Sequence, residues 1–166
     1  YVMRDKAVIE DLANESPARC FVVKALCEGD QIPGFLDTFE NARCVWLYRH
    51  YHDVANSMLV SFRSIPDTVR RLAVEGRTMG WWGSGMSERT QSLVAELVKR
   101  PLSDHSLAAL LWYVRNVLFF EYALDQDQRV LPLRYEKFVG NPGFEARRVF
   151  EFVEVPYSKR FTARVN

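Results

Sequence analysis

The sequence predicts an α/β domain built on a mostly parallel sheet. Three short runs rich in β-branched and aromatic residues read as strands: 20–26 (CFVVKAL), 44–49 (CVWLYR) and 129–135 (RVLPLRY). Helical stretches with recognisable caps separate them. The runs are apolar almost throughout rather than alternating, as expected of strands covered on both faces.

The bulk composition permits this reading and excludes others. The chain has 166 residues, 48% hydrophobic and 26% charged, enough for one domain with a core. A formal net charge of +1 excludes a chain-wide basic field for nucleic acid, though not a local basic pocket. Cys20, Cys27 and Cys44 are an odd set beside apolar runs, which reads as free, buried thiols in a reducing, cytoplasmic compartment. No signal peptide is visible, and the most apolar window, 107–124, is short for a membrane span and interrupted by Arg115 and Asn116. The first residue is Tyr, which reads as a start inside a longer protein. No repeat or linker divides residues 1–166, so a single domain is expected.

Residues 5–14 carry apolar positions at Ala7, Val8 and Leu12, a helical spacing that Pro17 ends. The first strand, 20–26, follows. Pro33 suits the first turn of a short helix through Phe39. The second strand, 44–49, runs into a helix over 53–62, and Pro66 opens another to Val74. A Gly-rich loop, 75–86, precedes a helix capped by Ser87 and running to about Lys99. Pro101 ends it, and Ser103 caps a long helix to Leu124, whose aromatics read as core. Pro132 gives the third strand an edge or irregular character. Asn141 as cap and Pro142 at the first position start a last helix, with Phe144, Val149, Phe150 and Val153 as its buried stripe. Arg147 and Arg148 fall on its outer face.

The chemistry concentrates where the second strand ends. In open parallel α/β sheets, ligands bind beyond the carboxyl ends of the strands. Arg49 stands at such an end, and a helix N-terminus with its dipole follows. A guanidinium is a planar fork of donors that matches a phosphate. Ser57 lies one turn beyond Asp53 on the same helical face and adds a hydroxyl. Asp53 has the wrong charge for a phosphate ligand and reads as a cap or as the residue that orients Arg49. On these residues alone, an ordinary strand–loop–helix junction, with Arg49 in a surface ion pair and Ser57 incidental, is the simpler reading.

The stretch YRHYHDVANS, 48–57, resembles the 3′-phosphate signature of sulfotransferases that use 3′-phosphoadenosine-5′-phosphosulfate (PAPS). In that family a strand-ending Arg and a Ser eight positions later hold the 3′-phosphate. Here they are Arg49 and Ser57, with Tyr51 where the family usually has Pro. Residues 130–156 (VLPLRYEKFVGNPGFEARRVFEFVEVP) are similar to the family's C-terminal pattern, with Lys137 replacing a common Asp. The resemblance implies that Tyr135 lies near the adenine. FVVKAL, 21–26, resembles the strand whose Lys approaches the transferred group, which makes Lys24 the weak catalytic candidate. It further implies a three-layer, P-loop-NTPase-like fold, PAPS as sulfuryl donor, no metal, and a small-molecule or carbohydrate acceptor.

Two parts of the family pattern are missing. No strand followed by a basic residue and S/T-G-T-T, the loop that cradles the 5′-phosphosulfate, occurs upstream of residue 20. Leu26 takes the place of a common catalytic His, leaving a carboxylate such as Glu28 or Asp30 as the candidate base. The expectation is a sulfotransferase domain truncated at its N-terminus. The alternative is a non-catalytic relative that binds or oligomerises, as a homodimer or by strand exchange.

Two other motifs are weaker. GWWGSGMS, 80–87, copies Walker-loop glycine spacing, but Met86 stands at the lysine position and no strand precedes it. It reads instead as a mobile lid or acceptor-side loop, with Trp81 and Trp82 offering flat apolar surface, or as tryptophans packed onto the core. His50 and His52 beside Cys44 do not define a metal site. They read as solvent-facing loop histidines.

Overall fold

The computed structural model describes residues 5–18, 20–25, 27–62 and 64–158. Among them two strands form, β1 (Cys44–Tyr48) and β2 (Val130–Arg134), paired in parallel from Cys44 against Val130 to Tyr48 against Arg134. Parallel neighbours need a long crossover, and here residues 49–129 supply one made of helices. The α/β class is therefore correct at its coarsest, with a minimal sheet and a predominance of helix. The Cys44 N–H donates to the Arg129 carbonyl at 2.8 Å. By the alternation of a strand, Cys44, Trp46 and Tyr48 turn their backbone groups toward β2, and Val45 and Leu47 turn theirs away.

The expected strand over 20–26 does not form. Residues 20–25 are irregular and exposed and make no backbone hydrogen bond to another described residue, and Leu26 lies outside the described residues. β-Branched composition makes a strand only where a neighbouring strand takes its N–H and C=O groups. The composition is present here and the neighbour is not.

Most helices begin where their caps predict. Asp5 accepts the Ala7 N–H at 3.0 Å and starts α1 (Lys6–Glu15), of which Ile9 is buried while Val8 and Leu12 stay exposed. Pro33 lies in the first turn of α2 (Ile32–Thr38). α3 (Tyr51–Ser61) begins two residues before the expected position because His50, not Asp53, caps it. α4 (Ile65–Glu75) carries Pro66 in its first turn, Ser87 caps α5 (Glu88–Leu97), and Ser103 caps α6 (Asp104–Asn116).

The long helix expected to reach Leu124 stops at Asn116. The Asn116 side-chain amide donates to the Trp112 carbonyl at 2.8 Å and competes with the helical ladder there. After one irregular residue, α7 (Leu118–Glu121) ends in a Schellman-type closure. Ala123 sits at φ 51° while the Leu124 N–H reaches the Phe119 carbonyl at 2.9 Å. β2 runs into a short helix, α8 (Tyr135–Gly140), that the sequence pattern does not reveal. Asn141 then caps α9 (Pro142–Phe152) as expected. The stripe of α9 is shifted: Phe144 is exposed, Ala146 is buried, and the buried Glu145 is paired with Arg148 at 2.9 Å.

Two apolar clusters result. The larger lies among α3, α4, α5 and α6 and includes Ala55, Val69, Leu72, Val94, Leu107 and Leu111. The smaller joins Leu36, Phe119, Leu124 and Val130, with Trp46 of β1 packed on it. The larger one holds α3 against α6 and so fixes where the helix after β1 starts. Leu111, with no exposed surface, lies within it. Leu111→Ala is expected to cost about 2–5 kcal/mol of stability, read from the urea midpoint at unchanged m-value.

Candidate functional site

Tyr48 and Arg134 are paired at the last register position, so Arg49 and Tyr135 leave the sheet side by side at its carboxyl edge. The Arg49 guanidinium carbon lies 4.8 Å from the Tyr135 ring centroid, a cation–π distance. Arg49 Nη2 is 3.3 Å from Asp53 Oδ2, the orienting contact expected of Asp53. The indole N–H of Trp112, on α6, donates to the Arg49 carbonyl at 3.0 Å. A ring below, a carboxylate beside and an indole on the backbone thus hold one arginine. The ion pair is about half exposed and contributes little stability, on the order of 0.2–1 kcal/mol. Its effect is to set direction.

Ser57 is exposed in the second turn of α3, one turn beyond Asp53. Arg49 reaches Asp53 and therefore lies toward the helical face that carries Ser57. Tyr135 has one side occupied by the guanidinium. The ring supports Arg49.

The N-terminus of α3 differs from the open anion site that the dipole argument anticipates. Glu136, the residue after Tyr135, accepts the His50 N–H at 2.7 Å and Arg134 Nε at 2.9 Å. The His50 ring accepts the His52 N–H at 3.3 Å. A carboxylate of the chain already sits at this helix end, bonded to the N–H of the cap residue. The His50 N–H, helped by Arg134, pulls the Glu136 carboxyl down to about 2. Sequence reading missed Glu136, although an acidic residue directly after Tyr135 at a paired strand end was the available signal. Nothing local pointed to Trp112, which depends on how α6 crosses α3.

Lys24 is not brought to this edge by any strand. It lies in the exposed, irregular stretch 20–25. Asp30 is engaged elsewhere, its Oδ2 accepting the Ser84 hydroxyl at 2.6 Å and Gln31 Nε2 at 2.8 Å. Glu28 Oε2 accepts the Cys27 N–H at 3.0 Å.

The Gly-rich stretch is tied down rather than free as a lid. Arg115, whose pKa burial pushes down, donates to the Ser84 carbonyl at 3.2 Å and to the Cys27 carbonyl at 2.6 Å. Arg77 bonds the Met86 carbonyl, Tyr122 bonds that of Gly85 at 3.1 Å, and Met86 is fully buried. Gly85 has φ +80°, and a Cβ there would meet Asp30 and the Tyr122 hydroxyl at 2.5 Å, so the turn needs glycine. Trp81 and Trp82 stack on each other at 3.6 Å, with Trp82 packed on the larger core and Trp81 partly exposed.

His50 and His52 are exposed, with rings 5.4 Å apart. The three cysteines are free, but Cys20 is exposed and Cys27 and Cys44 are half-buried, so the expectation of buried thiols is corrected. Desolvation, followed by nearby Asp127, raises Cys44 to about 11, far from a reactive thiolate. Among the described residues no group of three or more His, Cys, Asp or Glu is gathered to hold a metal ion, and no helix is long and apolar enough to cross a membrane. Comparison with protein-family models, with curated proteins and with solved structures finds no match.

The Glu136 carboxylate can be tested by pH. Its folded pKa of about 2 lies below an unfolded value of roughly 4.3, so its stabilising contribution is full above the unfolded value and is lost as pH falls toward 2. Side-chain carboxyl NMR should show Glu136 titrating near the bottom of that window. Glu136→Ala should be less stable than wild type at neutral pH, and the difference should shrink as acid is added.

Proposed function

We propose that the chain is a sulfotransferase-like domain that binds PAPS and its product adenosine 3′,5′-bisphosphate (PAP), with Arg49 and Ser57 on the 3′-phosphate. The observation that carries this reading is the restraint of Arg49 by Tyr135, Asp53 and Trp112 at the carboxyl edge of a parallel strand pair. A guanidinium held in place loses little freedom when it grips a phosphate. Tyr135 serves in this reading as the rest for Arg49. Glu136, which takes the His50 N–H, puts a negative charge at the start of α3, and the guanidinium is the anion's partner in this reading.

PAPS supplies an activated sulfuryl group. An acceptor oxygen or nitrogen forms a bond to sulfur as the bond from sulfur to the 5′-phosphate oxygen breaks, PAP departs, and the acceptor proton passes to a base. Arg49 and Ser57 contribute binding and orientation by holding the end of the nucleotide remote from the sulfur, which fixes the reacting end in position. Lys24 remains the weak candidate for the transferred group. Its place in an exposed stretch outside the sheet favours a second reading, a domain that binds the nucleotide without transferring from it.

Calorimetry of the full chain with PAP and AMP tests the binding claim. PAP is expected to bind more tightly than AMP. Arg49→Ala should weaken PAP by about tenfold or more, since a hydrogen bond to a charged group contributes roughly 1.5–3 kcal/mol. Ser57→Ala should cost less. Equal affinity for PAP and AMP, or PAP binding indifferent to Arg49→Ala, rejects the reading. Transfer of labelled sulfate from PAPS to a panel of hydroxyl and amine acceptors separates the enzyme from the binding module.

A further inference from the structure

The two outer edges of the strand pair are not equivalent. On β2 the outward backbone groups are those of Val130, Pro132 and Arg134. The Val130 N–H donates to the Asp127 carbonyl at 2.9 Å. Pro132 has no N–H, and its carbonyl accepts Arg148 Nη2 at 3.1 Å. That edge is blunted by a proline and covered by an α9 side chain, two ordinary protections of an edge strand. On β1 the outward groups are the N–H and C=O of Val45 and Leu47. None of them hydrogen-bonds another described residue, and the Leu47 side chain is 57% exposed. Just beyond, the Arg49 carbonyl is taken by Trp112. The unpaired length is therefore bounded at its C-terminal end.

The same chain carries a segment with the opposite deficit. Residues 20–24 (CFVVK) have strand composition, match β1 in length, make no backbone hydrogen bond to a described residue, and expose Phe21, Val22 and Val23. Phe21 and Val23 would share one face of a strand and Val22 the other. Both faces are apolar, as in an interior strand of a parallel sheet. Just downstream, Cys27 is held by Arg115 and Asp30 by Ser84. This anchors the exit of the segment on the Gly-rich loop and α6, and the segment stands unpaired among the described residues. An isolated two-stranded sheet is marginal in water, and a third strand is what such a sheet lacks.

We propose that residues 20–24 of a second copy of this chain add to the outer edge of β1, in a reciprocal, twofold strand exchange. Each chain offers one unpaired edge and one unpaired segment, so a twofold pair uses both twice and closes without further growth. The added strand supplies partners to Val45 and Leu47 and covers the Leu47 side chain. It contacts neither Arg49 nor Ser57, and the inference stands whatever nucleotide the chain binds.

Sedimentation velocity of the full chain across a concentration series, with amide exchange at each concentration, tests it. A reversible dimer is expected, with the Val45 and Leu47 amides protected in proportion to dimer. A double variant, Val22→Pro with Val23→Pro, removes two neighbouring N–H groups, one of which must face β1 by the alternation of a strand, at exposed, irregular positions, so the monomer should keep its far-UV spectrum. Dimer affinity should fall at least about tenfold. Leu47→Lys, a charge on the accepting edge, should weaken the dimer in the same direction. A wild type that stays monomeric throughout, a dimer unchanged by the double proline variant, or protection of Leu47 independent of concentration would each overturn the proposal. The last result would mean that the segment pairs within its own chain.

Discussion

The in-register parallel pairing of β1 with β2 is the constraint on which the rest of this molecule depends. Because Tyr48 faces Arg134, the next residue of each strand emerges at the same edge, and Arg49 comes to rest on Tyr135. One further step along each chain sets the His50 N–H against the Glu136 carboxylate. A slip of one residue would reverse every side chain of β1 and take all of these contacts away. The pairing is short, and the helical core makes it dependable: α3 and α6 pack through Ala55, Leu107 and Leu111, and Trp112 of α6 bonds the strand-end carbonyl.

Charge at this edge is arranged so that each group has a defined partner. Glu136 neutralises the start of α3 and takes Arg134 as a second partner. Asp53 lies beside Arg49 without burying it. The outcome is a guanidinium that is oriented yet open to solvent, with Ser57 one turn beyond its partner Asp53 on α3.

The sheet itself is the part of the fold with the least support. Its β2 edge is closed by Pro132 and Arg148; among the described residues its β1 edge has no partner and a strand-like stretch of the same chain lies unpaired. Such a sheet is a natural place for a second chain to add, and the outer edge of β1 is the one left for it.

Local chemistry alone determined most of the helices. The caps Ser87, Ser103 and Asn141, and the prolines at positions 33, 66 and 142, act within one turn of themselves, so they are legible in sequence. The composition of β1 and β2, and an arginine where β1 ends, are legible for the same reason. Only the tertiary structure decided what those elements touch. It placed Tyr135 beneath Arg49, filled the α3 N-terminus with Glu136 and shifted the buried stripe of α9. It also tied the Gly-rich stretch to Arg115 and Asp30, and left residues 20–25 without a backbone partner among the described residues. Strand pairing and burial are bargains between distant residues. A β-branched run states a capacity to pair, and only the presence of a neighbour at the right register turns that capacity into a strand.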